Sequence, residues 1–557
     1  MQSFENTRPR RGRRTSLKRR RALGAAVAVA VAASSPAAFA VDNVWTGAVD
    51  NNYNNPANWS LGRVPAKVNG QPAPDDFDDA VINTNTGNIA TITADIAATP
   101  RDIIVGIGAG SHGLVNHTAG TAGTGDGNWM FVGRDGGTGE YNLTGSGSLD
   151  VKGRLYVAGH DGTAPATGTL NVNTTGTITT GSDVNLGAAN GTGTMNLTAG
   201  TVNVGAWLSI GRDENGTDGT GVLNQTGGTF AVNLNTIVAL PGTTGTYTMT
   251  GGTNATNGEL WVGNGRDAAG PAVGTMTVNA GSVTANNWIA VGRDGGTGTL
   301  NVGGTGSVRE IGGGDTHFTI GTGGLGNGTV NVSGGGLVET NGDFIVAENN
   351  ATAVGTVNQT GGTVLVGGNL EVQRTGTGTY NLSGGTLSVA GNIDAVDGTF
   401  NFTGGKITRP GDGTVTINGN VATTGATFID AGSGKTFDVN GTLNVAGGIG
   451  LDLTGREIPA YDGSGTDTGS IDLGLVDGIT GQFTSPTLIG FNSRGATLLS
   501  EAQGEAGTFN AATQSVFWIQ EAGGAVTLQY SVVPEPATAG VFALSGLVLL
   551  ARRRRKG

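Results

Sequence analysis

The residues of this 557-residue chain whose types and spacing come nearest to chemistry are four Arg-Asp pairs. Arg134-Asp135, Arg212-Asp213 and Arg293-Asp294 each follow an apolar residue and a glycine, and Arg266-Asp267 ends the variant Val262-Gly263-Asn264-Gly265. A carboxylate beside a guanidinium can move a proton, and aligned carboxylates can hold a hard cation through their oxygens. The pair recurs, however, and an active site is normally a single departure from a repeat. Asp followed by Gly-Gly at Asp135 and Asp294 favours a tight turn, with each arginine covering an acid on a neighbouring layer. That architectural role is the reading adopted, with no catalytic residue, no cofactor and no metal assigned. Calcium at Asp135, Asp213 and Asp294 is one alternative, although the G-G-x-G-x-D-x-U-x pattern of calcium-loaded coils is missing. Catalysis by the pairs is the other.

The remaining chemistry is sparse. Of four histidines, only His112 and His117 stand close together, in a Gly-rich stretch, and His160 and His317 are isolated. Cysteine is absent, which excludes disulfides, thiolate metal sites and cysteine catalysis. Gly145-Ser146-Gly147 and Gly463-Ser464-Gly465 are turn composition, not a nucleophile elbow between strand and helix.

The elements that must position these residues come from one recurring phrase, read most clearly over residues 329–398. It is Gly-Thr, an apolar or aromatic residue, Asn, a second mostly apolar residue, a polar residue and a Gly pair. Its copies begin at Leu114, Tyr141, Leu170, Met195, Leu223, Tyr247, Met276, Leu300, Val330, Val357, Tyr380 and Phe400. Such spacing belongs to a stacked coil. In Tyr380, Leu382, Leu387 and Val389 the large side chains alternate with polar ones, the period of a strand with one buried face. A third strand follows in most copies, as in Trp129-Met130-Phe131-Val132 and Leu260-Trp261-Val262. With 105 glycines a helical reading fails, at about 1 kcal/mol per interior glycine. The expected fold is all-β: a parallel β-helix of about twelve rungs over residues 113–450. An N-terminal cap over 41–112 and a β-rich, antiparallel closing domain over 451–532 flank it. The phrase asparagines, Asn142, Asn171, Asn196, Asn224, Asn301, Asn331, Asn358, Asn381 and Asn401, suit either an amide ladder or a polar outer column.

Charge is unevenly spread. Residues 1–40 hold nine basic and one acidic residue, and residues 534–557 hold five and one. Of 30 Lys+Arg and 42 Asp+Glu, the middle therefore keeps 30 − 14 = 16 basic and 42 − 2 = 40 acidic, a net of −24. Nucleic acid is excluded as a partner of so acidic a body.

The two termini carry addresses. Residues 1–40 read as a signal peptide, with an arginine-rich start, an apolar run from Ala22 to Ala33 and cleavage guided by Ala38 and Ala40. Arg13-Arg14 leaves twin-arginine and general export both open. The tail, Val533-Pro534-Glu535-Pro536, an apolar segment over 537–551, then Arg552, Arg553, Arg554, Arg555 and Lys556, resembles the PEP-CTERM sorting signal of exported bacterial proteins. That resemblance implies recognition and cleavage at Pro534, Glu535 and Pro536 by an exosortase. Positive-inside retention of the basic cluster agrees with transient membrane anchoring through the apolar segment. Trp45-Thr46-Gly47, Asn58-Trp59 and Asp76 to Ile82 resemble the opening of surface proteins with autotransporter-like repeats. Trp45, Tyr53 and Trp59 are cap core or, alternatively, stacking faces for sugars.

Together these features point to an exported, non-enzymatic scaffold or adhesin-like protein of the cell surface or extracellular polysaccharide matrix. Signal peptidase and exosortase would be its partners during export, and polysaccharide or other surface proteins afterwards. The rival is a β-helix polysaccharide lyase or glycoside hydrolase, for which two carboxylates about 5 to 9.5 Å apart in a cleft would be the mark.

Overall fold

The computed structural model describes residues 41–67, 77–160, 164–214, 218–265, 271–313, 316–441, 443–445, 449–458, 466–476, 479–480, 487–522 and 525–533. The chain divides into two units, Met1–Phe39 and Ala40–Gly557, and every described residue belongs to the second. The signal-peptide and sorting-signal residues, including Ala38, Ala40, Pro534, Glu535, Pro536 and Arg552 to Lys556, lie outside the described residues, as do Arg266 and Asp267.

Each turn of the coil has three faces. Met130–Arg134, Thr138–Gly145 and Ser148–Val151 make one turn, and Leu155–Val157 begins the next. In Thr167–Thr180, Thr192–Val204, Val354–Val366 and Thr377–Val389 the second and third faces run on as one bent strand. Neighbouring turns pair in parallel with like residues in register: Leu170 beside Met195, and Asn171 beside Asn196. Three-strand turns run from Ile103 to Asp452, about fourteen in all against the twelve expected. The twelve copies fill the first twelve of these turns, and Asp78–Ile82 and Val41–Val44 stack below them on the first face without carrying the phrase. The excess lies at the other end. Beyond Phe400, Val421–Thr423 and Leu443–Val445 keep the register after the phrase has loosened.

Inward positions form one continuous core, in which Tyr141, Leu170, Met195, Leu223, Tyr247 and Leu300 are fully buried. No turn owns its interior, because each buried side chain packs on those above and below. The amide ladder is realised on the outer side of the second face. Asn142, Asn171, Asn196 and Asn224 each donate to the asparagine one turn below at 2.7–3.2 Å, starting from Asn116. After an interruption at Thr248 and Thr277, Asn331, Asn358, Asn381 and Asn401 resume it at 2.7–2.9 Å.

In the second-face column that follows the phrase asparagine, three polar residues interrupt the apolar run: His117, Gln225 and Gln359, each fully buried. Each is met one turn higher by a tyrosine hydroxyl, from Tyr141 at 2.9 Å, Tyr247 at 2.5 Å and Tyr380 at 2.7 Å. These are also the only tyrosines in the phrase, so the exceptions to the repeat come in matched pairs.

The lower end is closed by Trp45, Tyr53 and Trp59, at 1–3% exposure, with ring centroids 4.9 to 6.5 Å apart. Trp45 donates to the Asn88 carbonyl and Trp59 to that of Tyr53. Their faces are spent on one another, which leaves no platform for a sugar. On the first-face strand next to Val41–Val44, Arg63 holds Asp78 and Arg101 holds Asp79, each through two hydrogen bonds. Burial pushes the Asp79 carboxyl up to about 6 despite Arg101. The folded chain thus binds this proton more tightly than the unfolded chain, whose carboxyl has its ordinary value of 3.8. Stability from this group is complete below the ordinary value and is lost as pH rises towards 6, with an upper bound of about 3 kcal/mol. Between pH 4 and pH 7, urea unfolding of the wild type should lose stability relative to Asp79→Asn; a pH-independent difference would refute the burial account.

At the upper end Asp467–Val476 continues the first face beside Phe437 and then pairs antiparallel with Ala525–Val532, itself antiparallel to Val516–Ala522. The expected antiparallel closure is present. Its first strand and the short helix Glu501–Glu505, capped by Ser500 and Gln503, were not expected.

Candidate functional site

The first face carries the side chains that depart from the repeat. Its strands point Met130 and Val132 inward and Phe131 outward, and the outward residues stack into three columns. The middle column runs Val81, Ile104, Phe131, Tyr156, Asn185, Ser209, Ile237, Trp261, Ala290, Thr319, Ile345, Glu371 and Asp394. One flanking column precedes the strands and includes Asp102, Trp129, Arg154, Asp183, Trp207 and Trp288. The other follows the left-handed corner residue, a glycine or before Glu348 an alanine, and includes Arg134, Arg212, Arg293 and Glu348. The recurring arginine is therefore a roof. Arg134 lies 4.5 Å over the Phe131 ring, and Arg293 lies 4.7 Å from both Trp261 and Trp288. Cation–π contact is worth roughly 0.5–2 kcal/mol, depending on desolvation, and it covers aromatic surface that would otherwise face water.

Two of the four Arg-Asp pairs, Arg134-Asp135 and Arg293-Asp294, are turns, as expected, with one correction. Asp135 and Asp294 have φ of 49° and 48°, and Gly136 and Gly295 have 84° and 85°. Gly137 donates to the Arg134 carbonyl and Gly296 to that of Arg293, which makes type I′ turns. The arginines do not reach an acid on the next layer: Arg134 pairs with its own Asp135 at 3.2 Å and Arg293 with Asp294 at 2.9 Å. A hydrogen-bonded turn points the adjacent carboxylate back at the preceding guanidinium. Among the described pairs only Arg212 crosses between layers, to Asp183 at 3.3 Å, and Asp213 takes no left-handed turn. Asp135, Asp213 and Asp294 sit on three separate layers and do not converge. His112 is exposed while His117 is spent in the core, so that pair faces no common ligand.

Asp102 illustrates how a suggestive carboxylate is accounted for. Burial raises its pKa above the ordinary carboxylate value. Its Oδ1 accepts the Trp129 backbone N–H at 2.8 Å, as Asp183 accepts that of Trp207 and Asn235 that of Glu259. Since asparagine does the same work, the common role is to tie successive turns.

Two hollows open on this lower part of the coil. A pocket of about 340 Å³ is lined by Arg101, Asp102, Asn128, Trp129, Arg134 and His160 among others. His160 is wedged against Tyr156, Trp129 and Phe131 at centroid distances of 4.9, 5.0 and 5.2 Å. A wider groove of about 750 Å³ lies at the edge of the cap, with Asp95, Asp126, Asp150, Lys67 and Lys152 along it. Among the described residues no group of three or more His, Asp or Glu is placed to hold a metal ion. No described helix is long and apolar enough to cross a membrane. Neither hollow was foreseen. The third-strand motif was visible in Trp129 to Val132, but which of its residues point outward depends on the register of the stack.

No known protein family matches the chain, and no curated protein matches it. The functional reading therefore rests on the geometry of the coil and on the sequence of the termini.

Proposed function

We propose that the protein is an exported structural or adhesin-like component of the cell surface, associated with the extracellular polysaccharide matrix. The observation that carries this reading is the periodicity of the outer surface. Exposed Thr167, Thr192, Thr220 and Thr244 stack in one column and the asparagine ladder in another, repeating about every 4.8 Å. A surface that repeats is suited to a polymer that repeats, each turn offering the same donors and acceptors. Export through the N-terminal signal, transient anchoring through residues 537–551 and cleavage by an exosortase at Pro534-Glu535-Pro536 belong to the same proposal. They are supported by the PEP-CTERM-like order of motif, apolar segment and arginine cluster.

Mass spectrometry of the mature protein should find a C-terminus near Pro534 and an N-terminus near Val41. An intact Arg552 to Lys556 tail would reject the processing. Replacing Pro534, Glu535 and Pro536 should retain the protein at the membrane, which fractionation reads directly.

The groove with Asp95, Asp126 and Asp150 favours a second reading, a glycoside hydrolase acting on the same polymers. Release of reducing ends from a polysaccharide panel, lost on Asp126→Asn, would replace the scaffold reading.

A further inference from the structure

The turn from Leu155 to His160 breaks the pattern of its neighbours. On most turns the corner is an apolar residue, a left-handed glycine and an outward residue, as in Val132-Gly133-Arg134 and Val291-Gly292-Arg293, and on two turns Ala239 and Ala347 take the glycine's place. Here Ala158, Gly159 and His160 all have positive φ, of 65°, 94° and 88°. Left-handed non-glycine backbone costs about 1–3 kcal/mol per residue and clusters where a site is being shaped. The result is to fold His160 down onto Trp129, Phe131 and Tyr156, leaving the pocket beside Arg134.

We propose that this pocket binds one carboxylate-bearing sugar residue of an acidic glycan. The inference rests on the matrix reading and names its ligand class. A volume of about 340 Å³ is at the lower end of small-molecule sites. Two guanidiniums, of Arg101 and Arg134, line it with the single carboxylate of Asp102, whose Oδ1 is committed to the Trp129 N–H and whose Oδ2 lies 3.8 Å from Arg101 Nε. Asp79 and Asp135, which pair with those arginines, are not among the lining residues. The charged lining, two arginines and one aspartate, therefore carries one net positive charge, with Asp79 and Asp135 paired behind it, on a body whose middle carries a net charge of −24, from 16 basic and 40 acidic residues. Arg134 Nε faces the Asp135 carboxylate at 3.2 Å without the alignment of a hydrogen bond, and a guanidinium's fork of donors matches a carboxylate. Trp129, half-buried, supplies an apolar wall for the sugar ring.

Tryptophan fluorescence of the full chain, titrated with an oligogalacturonate and with a neutral glucan oligomer of equal length, tests the assignment. The acidic oligomer should bind at least tenfold tighter. Arg134→Gln should weaken it at least tenfold with an unchanged circular dichroism spectrum. Arg293→Gln, the same corner on another turn, should leave binding unaltered. Equal binding of both oligomers, or wild-type affinity in Arg134→Gln, would overturn the pocket assignment. Retention of the same proteins on immobilised matrix polysaccharide is scored separately. If wild type and Arg134→Gln are both retained, the pocket assignment falls and the matrix reading stands. If wild type is not retained although the oligomer binds, the matrix reading falls alone.

Discussion

Replacing Gln359 by leucine should lower the free energy of unfolding by about 2–3 kcal/mol, even though leucine is what other turns carry at this position. Leu143, Leu197 and Leu382 occupy the equivalent column in full burial. At Gln359 the amide accepts from the Tyr380 hydroxyl at 2.7 Å and donates to the Thr386 carbonyl at 2.8 Å. Leucine strands that hydroxyl, which is buried so deeply that its pKa rises far above the ordinary phenol value. An orphaned buried donor costs its full desolvation, whereas removing both partners is nearly neutral. The double variant Gln359→Leu/Tyr380→Phe should accordingly recover most of the loss. Urea unfolding of the two single variants and the double gives the coupling energy; strict additivity would show that the pair does not act as a unit.

Gly292→Val should be more damaging, beyond about 4 kcal/mol, the range reserved for backbone and overpacking failures. Gly292 has φ of 72°, and a side-chain carbon there would stand 2.1 Å from the Asn327 carbonyl oxygen on the turn above. The obstacle is backbone held in the ladder, so no side-chain movement relieves it. Gly110 is the control: its φ is 78° but nothing lies within 4 Å. Gly110→Ala should lose only the conformational penalty of about 1 kcal/mol. Thermal melts of the two variants separate close approach from backbone preference, and similar losses at both sites would refute the distinction.

Gly292 also shows why part of the site was legible beforehand. The glycine before each arginine marks a corner, and Asp-Gly after it marks a turn, because both rest on local φ preferences that neighbouring residues cannot change. The pairing of those arginines was not legible. Arg134 turning to Asp135, and Arg212 reaching Asp183, depend on where the adjacent turn places its side chains. His160 is the clearest case. Alone it is one histidine after a glycine, and only the stack brings Trp129, Phe131 and Tyr156 around it.

By itself the amino-acid sequence determined the all-β class, the coil and its inward columns, whereas the burial that makes Trp45, Tyr53 and Trp59 a cap core and not a sugar platform was settled by the fold. Alternation and glycine placement are short-range properties, and repetition forces every turn to obey them alike. The number of turns, the amide ladder, the matched tyrosine pairs and the two hollows were decided by tertiary structure alone. Each joins residues some 20 to 30 positions apart, and which of them meet is fixed only once one turn is laid in register upon the next.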